Sequence, residues 1–286
     1  MRLIHKLLLF TLCLFTANLS WAGSWKAVNS DKPAATKAVV LSSDIQSSTV
    51  QLQLQGYFLE PVMTPSGKSW KVTSPGGTQL LEAGAPDLPK FAVSLVIPET
   101  GAMEVEIITA DYIDIPGMSI APSKGNLSRT VNPSEVPFTY GDAYTKNEFW
   151  PVDQAALRAP YILRDYRGQT LLFKPFQFNP STGTLRIFTS MTVKVMKKAG
   201  KADVNALNRP RPLTSIDESF GALYKDHFAN FPSVAYAPLN ETPKLLVICP
   251  QNWQSLIQPL VDWKIRKGIE TTVVDVLTAG GTSSNI

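Results

Sequence analysis

The sequence predicts a mainly β protein: an antiparallel β-sandwich followed by the first βαβ unit of an α/β domain. Three observations carry that expectation. Short alternating or apolar runs, each bounded by Pro or Gly, recur between residues 49 and 198, the pattern of strands and turns. Pro is abundant at 22 residues and charge is sparse at 17%, which suits strands and turns better than helical bundles. From Pro243 the pattern changes to an apolar strand, an amphipathic helix and a second apolar strand. Strand, helix, strand within about thirty residues implies a parallel pair.

Residues 1–22 read as a secretory signal. Arg2, His5 and Lys6 form a basic start, residues 7–15 (LLLFTLCLF) a short apolar core, and Ser20 and Ala22 supply the small side chains for cleavage between Ala22 and Gly23. The apolar run is too short to span a bilayer comfortably. Leu12 precedes Cys13 where a lipoprotein signal expects a small residue, so no membrane anchor beyond the cleaved signal is expected. Without Arg2 and Lys6, 25 basic residues face 23 acidic ones. A balance of +2 argues against nucleic acid or an anionic membrane as partner. Cys249 is then the lone cysteine, so no internal disulfide forms and the fold rests on its core.

Residues 23–48 are rich in Ser, Ala, Lys and Asp without period and read as a flexible leader. The sandwich is placed at residues 49–198. Val50-Gln51-Leu52-Gln53-Leu54-Gln55 alternates at period two, the mark of a strand with one buried face. Residues 91–97 (FAVSLVI) form a continuous apolar strand ended by Pro98, and residues 103–108 (MEVEII) alternate again. Residues 171–178 and 184–196 form a hairpin around Asn179-Pro180-Ser181-Thr182-Gly183, with Gly183 able to take positive φ. Leu185, Ile187, Val193 and Val195 share a parity that faces the core.

Residues 199–242 read as a linker. The stretch KKAGKADVNALNRPRPL is polar, basic and broken by prolines, and a short helix is expected within residues 215–231, stopped by Pro232. Exposed linkers invite proteolysis, which makes Arg209 and Arg211 candidate activation sites. Residues 243–286 form the α/β fragment. KLLVIC (244–249) is a buried strand, and Trp253, Leu256, Ile257, Leu260 and Val261 recur at helical spacing. Pro259 is expected to kink that helix or start a new one, and Gly268 to cap it. Residues 269–277 (IETTVVDVL) are the second strand.

Few residues suggest chemistry. Cys249 ends a strand, where a free Cys behaves as a small hydrophobe, and no His lies nearby to activate it. His227 has no second ligand in sequence and reads as a surface or hydrogen-bonded His. Gly280-Gly281-Thr282-Ser283-Ser284 lacks both the P-loop Lys and the dinucleotide spacing, and reads as a loop with Ser283 or Ser284 as a helix N-cap. Asp111, Asp114, Asp142 and Asp153 show no EF-hand spacing, and no metal site is assigned.

The last segment resembles the gingipain family of secreted bacterial cysteine peptidases. The resemblance rests on Leu246-Val247-Ile248-Cys249, on Leu260-Val261-Asp262-Trp263-Lys264 with Lys267-Gly268-Ile269, and on Thr272-Val273-Val274 and Gly281-Thr282-Ser283. Gly84-Ala85-Pro86-Asp87-Leu88-Pro89, Phe149-Trp150-Pro151 and Pro175-Phe176-Gln177-Phe178-Asn179-Pro180 are similar to the family's propeptide. The resemblance spans residues 51–286. It implies a β-sandwich prodomain that assists folding and inhibits until removed, and a caspase-like α/β peptidase domain truncated here before its catalytic His and Cys. No catalytic residue is therefore assigned in this chain, which is expected to be inactive by itself. The implied partners are the chain's own downstream catalytic domain and, for the full enzyme, protein substrates; the implied location is extracellular. Calcium belongs to the full-length peptidases of the family, and no cofactor is placed in this chain. A family prodomain can block the active site with a basic side chain, and Arg158 and Arg164 are the candidates. Two other classes stay open: an adhesion or binding module joined to a non-catalytic peptidase-like domain, and a sugar- or nucleotide-handling α/β domain.

Overall fold

In a computed structural model, the structure describes residues 23–44, 46–200, 203–211, 213–231, 237–239 and 244–285. The expected signal lies outside them, as does Ala22. The chain forms two compact units. The first takes in the described residues of Met1–Arg211 and Lys225–Pro232, the second those of Pro212–Tyr224 and Ser233–Ile286.

The first unit contains β1 (Ser24–Ala27), β2 (Ala38–Ser43), β3 (Ser47–Gln53), β4 (Gly56–Thr64), β5 (Gly67–Thr73), β6 (Thr78–Gln79), β7 (Pro89–Val96), β8 (Ala102–Ile115), β9 (Ala155–Leu157), β10 (Tyr161–Leu163), β11 (Tyr166–Phe173), β12 (Phe176–Asn179) and β13 (Thr184–Lys198). All of its named pairings are antiparallel. One sheet runs β1-β4-β5, a second runs β10-β11-β7-β6 with β9 also on β11, and a third runs β12-β13-β3-β2 with β8 on the other edge of β13. The hairpin read from the sequence is β12–β13, with Gly183 in its turn at φ 62°. Leu185, Ile187, Val193 and Val195 are buried, as their shared parity requires. They meet Val50, Leu52 and Leu54 of the β3 region, Leu59 of β4, Val72 of β5, Phe91 and Leu95 of β7, and Leu171 and Phe173 of β11. All three sheets thus contribute to one core, and the expected mainly antiparallel sandwich is what the chain builds.

Two expectations need correction. The leader at residues 23–48 is not loose, because it supplies β1 and β2. Trp25 of β1 packs edge-on against Phe58 with centroids 5.0 Å apart and lies over Gly56, where a Cβ would come within 2.3 Å of its ring. The polar composition hid these edge strands, which bury little. The linker is not an open spacer either. Its described residues 203–211 are bound to the sandwich by the side chain of Arg167, as set out below.

The second unit holds β14 (Ser215–Asp217), most of α1 (Glu218–His227), β15 (Ala237–Leu239), β16 (Lys244–Cys249), α2 (Gln254–Arg266), β17 (Glu270–Asp275) and α3 (Val276–Ala279). Asp217 accepts a hydrogen bond from the Phe220 N–H (3.1 Å) at the start of α1. β14 and β15 pair in parallel, and so do β16 and β17, in register from Lys244 opposite Glu270 to Cys249 opposite Asp275. The expected βαβ order is therefore present. α2 runs through Pro259 as one helix, and Gly268 beyond it takes φ 78°. Ser283 and Ser284 cap no helix among the described residues. Asp275 caps α3 instead, accepting from the Leu277 N–H at 2.9 Å.

Candidate functional site

Among the described residues of the sandwich unit, the longest unbroken run of exposed residues lies between β8 and β9, at residues 128–135. It belongs to a loop whose two ends are clamped together. Gly84 donates its N–H to the Ser123 carbonyl (2.9 Å) and accepts from the Gly141 N–H (2.9 Å). Gly84 sits at φ 77°, and a Cβ there would stand 3.0 Å from the Gly141 nitrogen, so only glycine fits without strain. Ser123 in turn donates to Ala85 (2.7 Å), and Asp87 donates its N–H to Ala121 (2.9 Å). Tyr140 shares a hydrogen bond with Thr64 (2.7 Å) and Tyr144 donates to the Ile120 carbonyl (2.8 Å). The Gly84-Ala85-Pro86-Asp87-Leu88-Pro89 motif is therefore the loop's base. Burial pushes the Asp87 carboxyl above its ordinary value, opposed by the Gln79 amide that donates to it at 2.8 Å.

Above that base the loop bonds to itself. Lys124 donates to the Pro133 carbonyl (2.6 Å) and lies 4.4 Å from the centroid of Phe138. Asn132 donates to Glu135 (3.0 Å) and accepts from the Ser134 N–H (3.1 Å) and hydroxyl (2.8 Å). Ser128 and Thr130 share a hydrogen bond at 3.0 Å. Between them Arg129 stands exposed, with no ion-pair partner among the described residues. A self-bonded loop on a rigid base is how proteins present a recognition element. Sequence reasoning passed over Arg129. The signal was there in the long unpatterned stretch from Gly125 to Gly141, since a loop of that length in a compact unit is usually functional.

The residues singled out from the sequence lie elsewhere. Arg164 occupies the tight β10–β11 turn at φ 49°, half exposed, with Nε 3.9 Å from Asp165. Arg158 follows β9, exposed, with its main chain bound to Thr170 and Gln169. Arg209 pairs with Glu99 (2.9 Å) and also donates to the Asp165 carbonyl. Arg211 is exposed. Both precede a proline, Pro210 and Pro212, so a cut after either Arg must break a tertiary amide bond whose nitrogen carries no N–H. Gly23 opens the described residues just before β1.

Cys249 is buried at the end of β16, as expected of a structural thiol. A cleft of about 660 Å³ opens at the carboxyl ends of β16 and β17, the place where α/β sheets build their sites. It is lined by Pro250, Gln251, Asn252, Asp275, Val276 and Leu277, which include neither a nucleophilic thiol nor an imidazole. His227 is engaged with the Tyr161 hydroxyl at 2.6 Å. Among the described residues no three His, Cys, Asp or Glu side chains cluster as a metal site. The four scattered aspartates do not form one: Asp111 and Asp114 lie on β8, and Asp114 is held by Arg186 in a paired hydrogen bond (2.8 Å each) that keeps its carboxyl below the usual range. Also among the described residues, no helix is long and apolar enough to cross a membrane.

Comparison with known proteins places this architecture. Gingipain R2 of Porphyromonas gingivalis (strain ATCC BAA-308 / W83) is 36% identical over 236 residues, which are 82% of this chain and 32% of that protein. Gingipain R1 of Porphyromonas gingivalis is 36% identical over 237 residues, 82% of this chain and 23% of that protein. The chain thus spans a third or less of the length of these relatives. The solved complex of Porphyromonas gingivalis RgpB pro- and mature domains contains a chain that is 37% identical with a TM-score of 0.62, the match covering 68% of this chain and 95% of that one. A structure addressing zymogenic latency of gingipain K from Porphyromonas gingivalis, at 19% identity and a TM-score of 0.51, shares the fold. The family model described as Propeptide_C25 matches residues 30–226, which take in β2 to β13, the clamped loop and most of α1. With more than half of its length matched, the chain belongs to the Propeptide_C25 family, the propeptides of gingipain-type cysteine peptidases.

Proposed function

We propose that this chain is the N-terminal part of a secreted gingipain-like cysteine endopeptidase precursor, and that its sandwich unit inhibits and helps fold the peptidase domain until proteolysis removes it. The signal at residues 1–22, cut between Ala22 and Gly23, directs export. The unit at residues 244–285 begins the peptidase domain, whose Cys thiolate and general-base His come from the rest of the precursor. The observation that carries the inhibitory reading is the loop at residues 124–140. It is exposed, self-bonded and fixed at its base by Gly84, so it meets a partner without a large ordering cost. Arg129, exposed between Ser128 and Thr130, is the side chain that enters the peptidase's substrate cleft, in preference to Arg158, which follows β9, and Arg164, which sits in the β10–β11 turn. The complex of RgpB pro- and mature domains shows that a relative of this unit does meet a mature domain.

The test is direct. The purified chain is added to a gingipain-type cysteine endopeptidase and hydrolysis of a peptide substrate is followed. Inhibition by the wild-type chain is expected. Arg129→Ala weakens it at least about tenfold, which is about 1.4 kcal/mol, whereas Arg158→Ala and Arg164→Ala leave it within about twofold. A chain that binds no peptidase, or an Arg129→Ala chain that inhibits like wild type, refutes the assignment.

A further inference from the structure

The sandwich unit takes back a later piece of chain. After leaving the unit at Arg211, the polypeptide returns to it at Lys225. There Phe228 forms a parallel bridge with Ser94 of β7, and the Ala229 N–H donates to the Ser94 carbonyl at 2.9 Å. This edge of β7 is open to it, because β11 lies on the other side and β6 reaches only Pro89 and Lys90. The side-chain amide of Asn230 then extends the ladder. It accepts from the Val96 N–H (2.7 Å) and donates to the Val96 carbonyl (2.9 Å), as a backbone peptide group would. The same amide nitrogen reaches Ser48 of β3 (3.0 Å) and Ser43 of β2 (3.2 Å), so it ties two sheets together.

Phe228 fills a made-to-measure pocket and is 2% exposed. Its ring lies parallel to Tyr161 at 6.3 Å and edge-on to Tyr166 at 6.4 Å. The floor is Gly168, where a Cβ would stand 2.6 Å from the Phe228 ring. Phe231 adds a second edge-on contact to Tyr166 at 5.4 Å. Strand addition supplies the main-chain bonds, and the pocket and the Asn230 amide supply selectivity.

We infer that the open edge of β7, with the aromatic pocket over Gly168, is a peptide-binding groove for an extended segment carrying an aromatic residue and, two positions on, an asparagine. Its ligand is the chain's own Phe228-Ala229-Asn230. Scission anywhere in the segment before it, including after Arg209 or Arg211, therefore leaves two pieces joined without a covalent bond. Separation requires a further cut C-terminal to Phe231 or displacement of the strap. This retention is independent of the inhibitory reading, since it concerns how the nicked chain holds together and makes no use of Arg129.

The experiment uses the whole chain with a site-specific protease sequence inserted after Arg211. After complete cutting at tens of micromolar, size-exclusion chromatography under native conditions reads whether the fragments travel together. The wild-type fragments co-elute at the position of the uncut chain. The pair Phe228→Ala and Asn230→Ala lowers the co-eluting fraction at least tenfold. The uncut double variant is melted alongside, and the milder Asn230→Ala chain is followed by hydrogen exchange at the Val96 amide, which loses protection while the rest of β7 keeps it. Wild-type fragments that separate on cutting overturn the inference. So do fragments of the double variant that still co-elute, or a Val96 amide that exchanges no faster in Asn230→Ala.

Discussion

Arg167 shows how much one side chain settles. It is 1% exposed in β11, and a guanidinium has five N–H donors to satisfy. All five find partners. Nε donates to Asn205, Nη1 to Pro98 (3.0 Å) and Gly101 (2.8 Å), and Nη2 to Asp203 and Val204 (2.6 Å each). Four of the acceptors are main-chain carbonyls, so the side chain reads the path of residues 203–205 and folds the supposed linker onto the sandwich. Asp203 closes the arrangement by accepting from the Gly101 N–H at 2.6 Å. A lysine reaches too few of these acceptors. Arg167→Met strands four carbonyls and a partly buried carboxylate, and removal of one member of such a network typically costs about 3–5 kcal/mol. The expected result is a loss of about 3 kcal/mol in denaturant unfolding, with early proteolysis near residues 203–211. An Arg167→Met chain as stable as wild type contradicts the cage. Nothing in the sequence marked this residue, because a single Arg between Tyr166 and Gly168 looks like any strand charge until its carbonyl partners are in place.

At the level of elements, legibility followed the range of the forces involved. The β12–β13 hairpin and the β16-α2-β17 unit were readable because apolar period and turn chemistry act within a few residues. Leu185, Ile187, Val193 and Val195 gave their buried face away by parity alone. β1 and β2 were not readable, since their stability comes from pairing with β4 and β3 and from Trp25 resting over a glycine. The clamped loop was half readable. Its base motif at residues 84–89 was noticed as a family feature, but its physical role depends on Ser123 and Gly141, far along the chain. That role makes a prediction at this scale. Gly84→Ala forces an L-residue to φ 77° and presses a Cβ to 3.0 Å from the Gly141 nitrogen. The strain should lower stability by about 1–2 kcal/mol. It should also raise the protease sensitivity of residues 124–140 more than that of the β-sheets, as limited digestion with mass analysis will show. Equal sensitivity in mutant and wild type would mean that the base does not depend on Gly84.

Across the whole molecule the two units differ in how well they bury themselves. The sandwich closes a core from three sheets, whereas among the described residues of β16, α2, β17 and α3 only Cys249 and Val261 are buried apolar side chains. Leu256 and Leu277 are 75% and 80% exposed, and Leu246, Trp253, Leu260, Trp263 and Ile265 are exposed as well. These residues are too numerous for the surface of a self-sufficient domain, and a two-stranded parallel sheet covered by one principal helix is marginal in water. In the relatives the matched region is a third or less of the protein, which leaves ample chain to cover such a face. Calorimetry of this chain should therefore show two transitions rather than one. The first is small, occurs at the lower temperature, binds a hydrophobic dye before it, and is reported by the fluorescence of Trp253 and Trp263. The second belongs to the sandwich and carries most of the enthalpy, because enthalpy scales with the residues that fold cooperatively. Trp253→Phe with Trp263→Phe removes the fluorescence change of the first transition and leaves that of the second. A single cooperative transition seen by all probes would contradict this two-step unfolding.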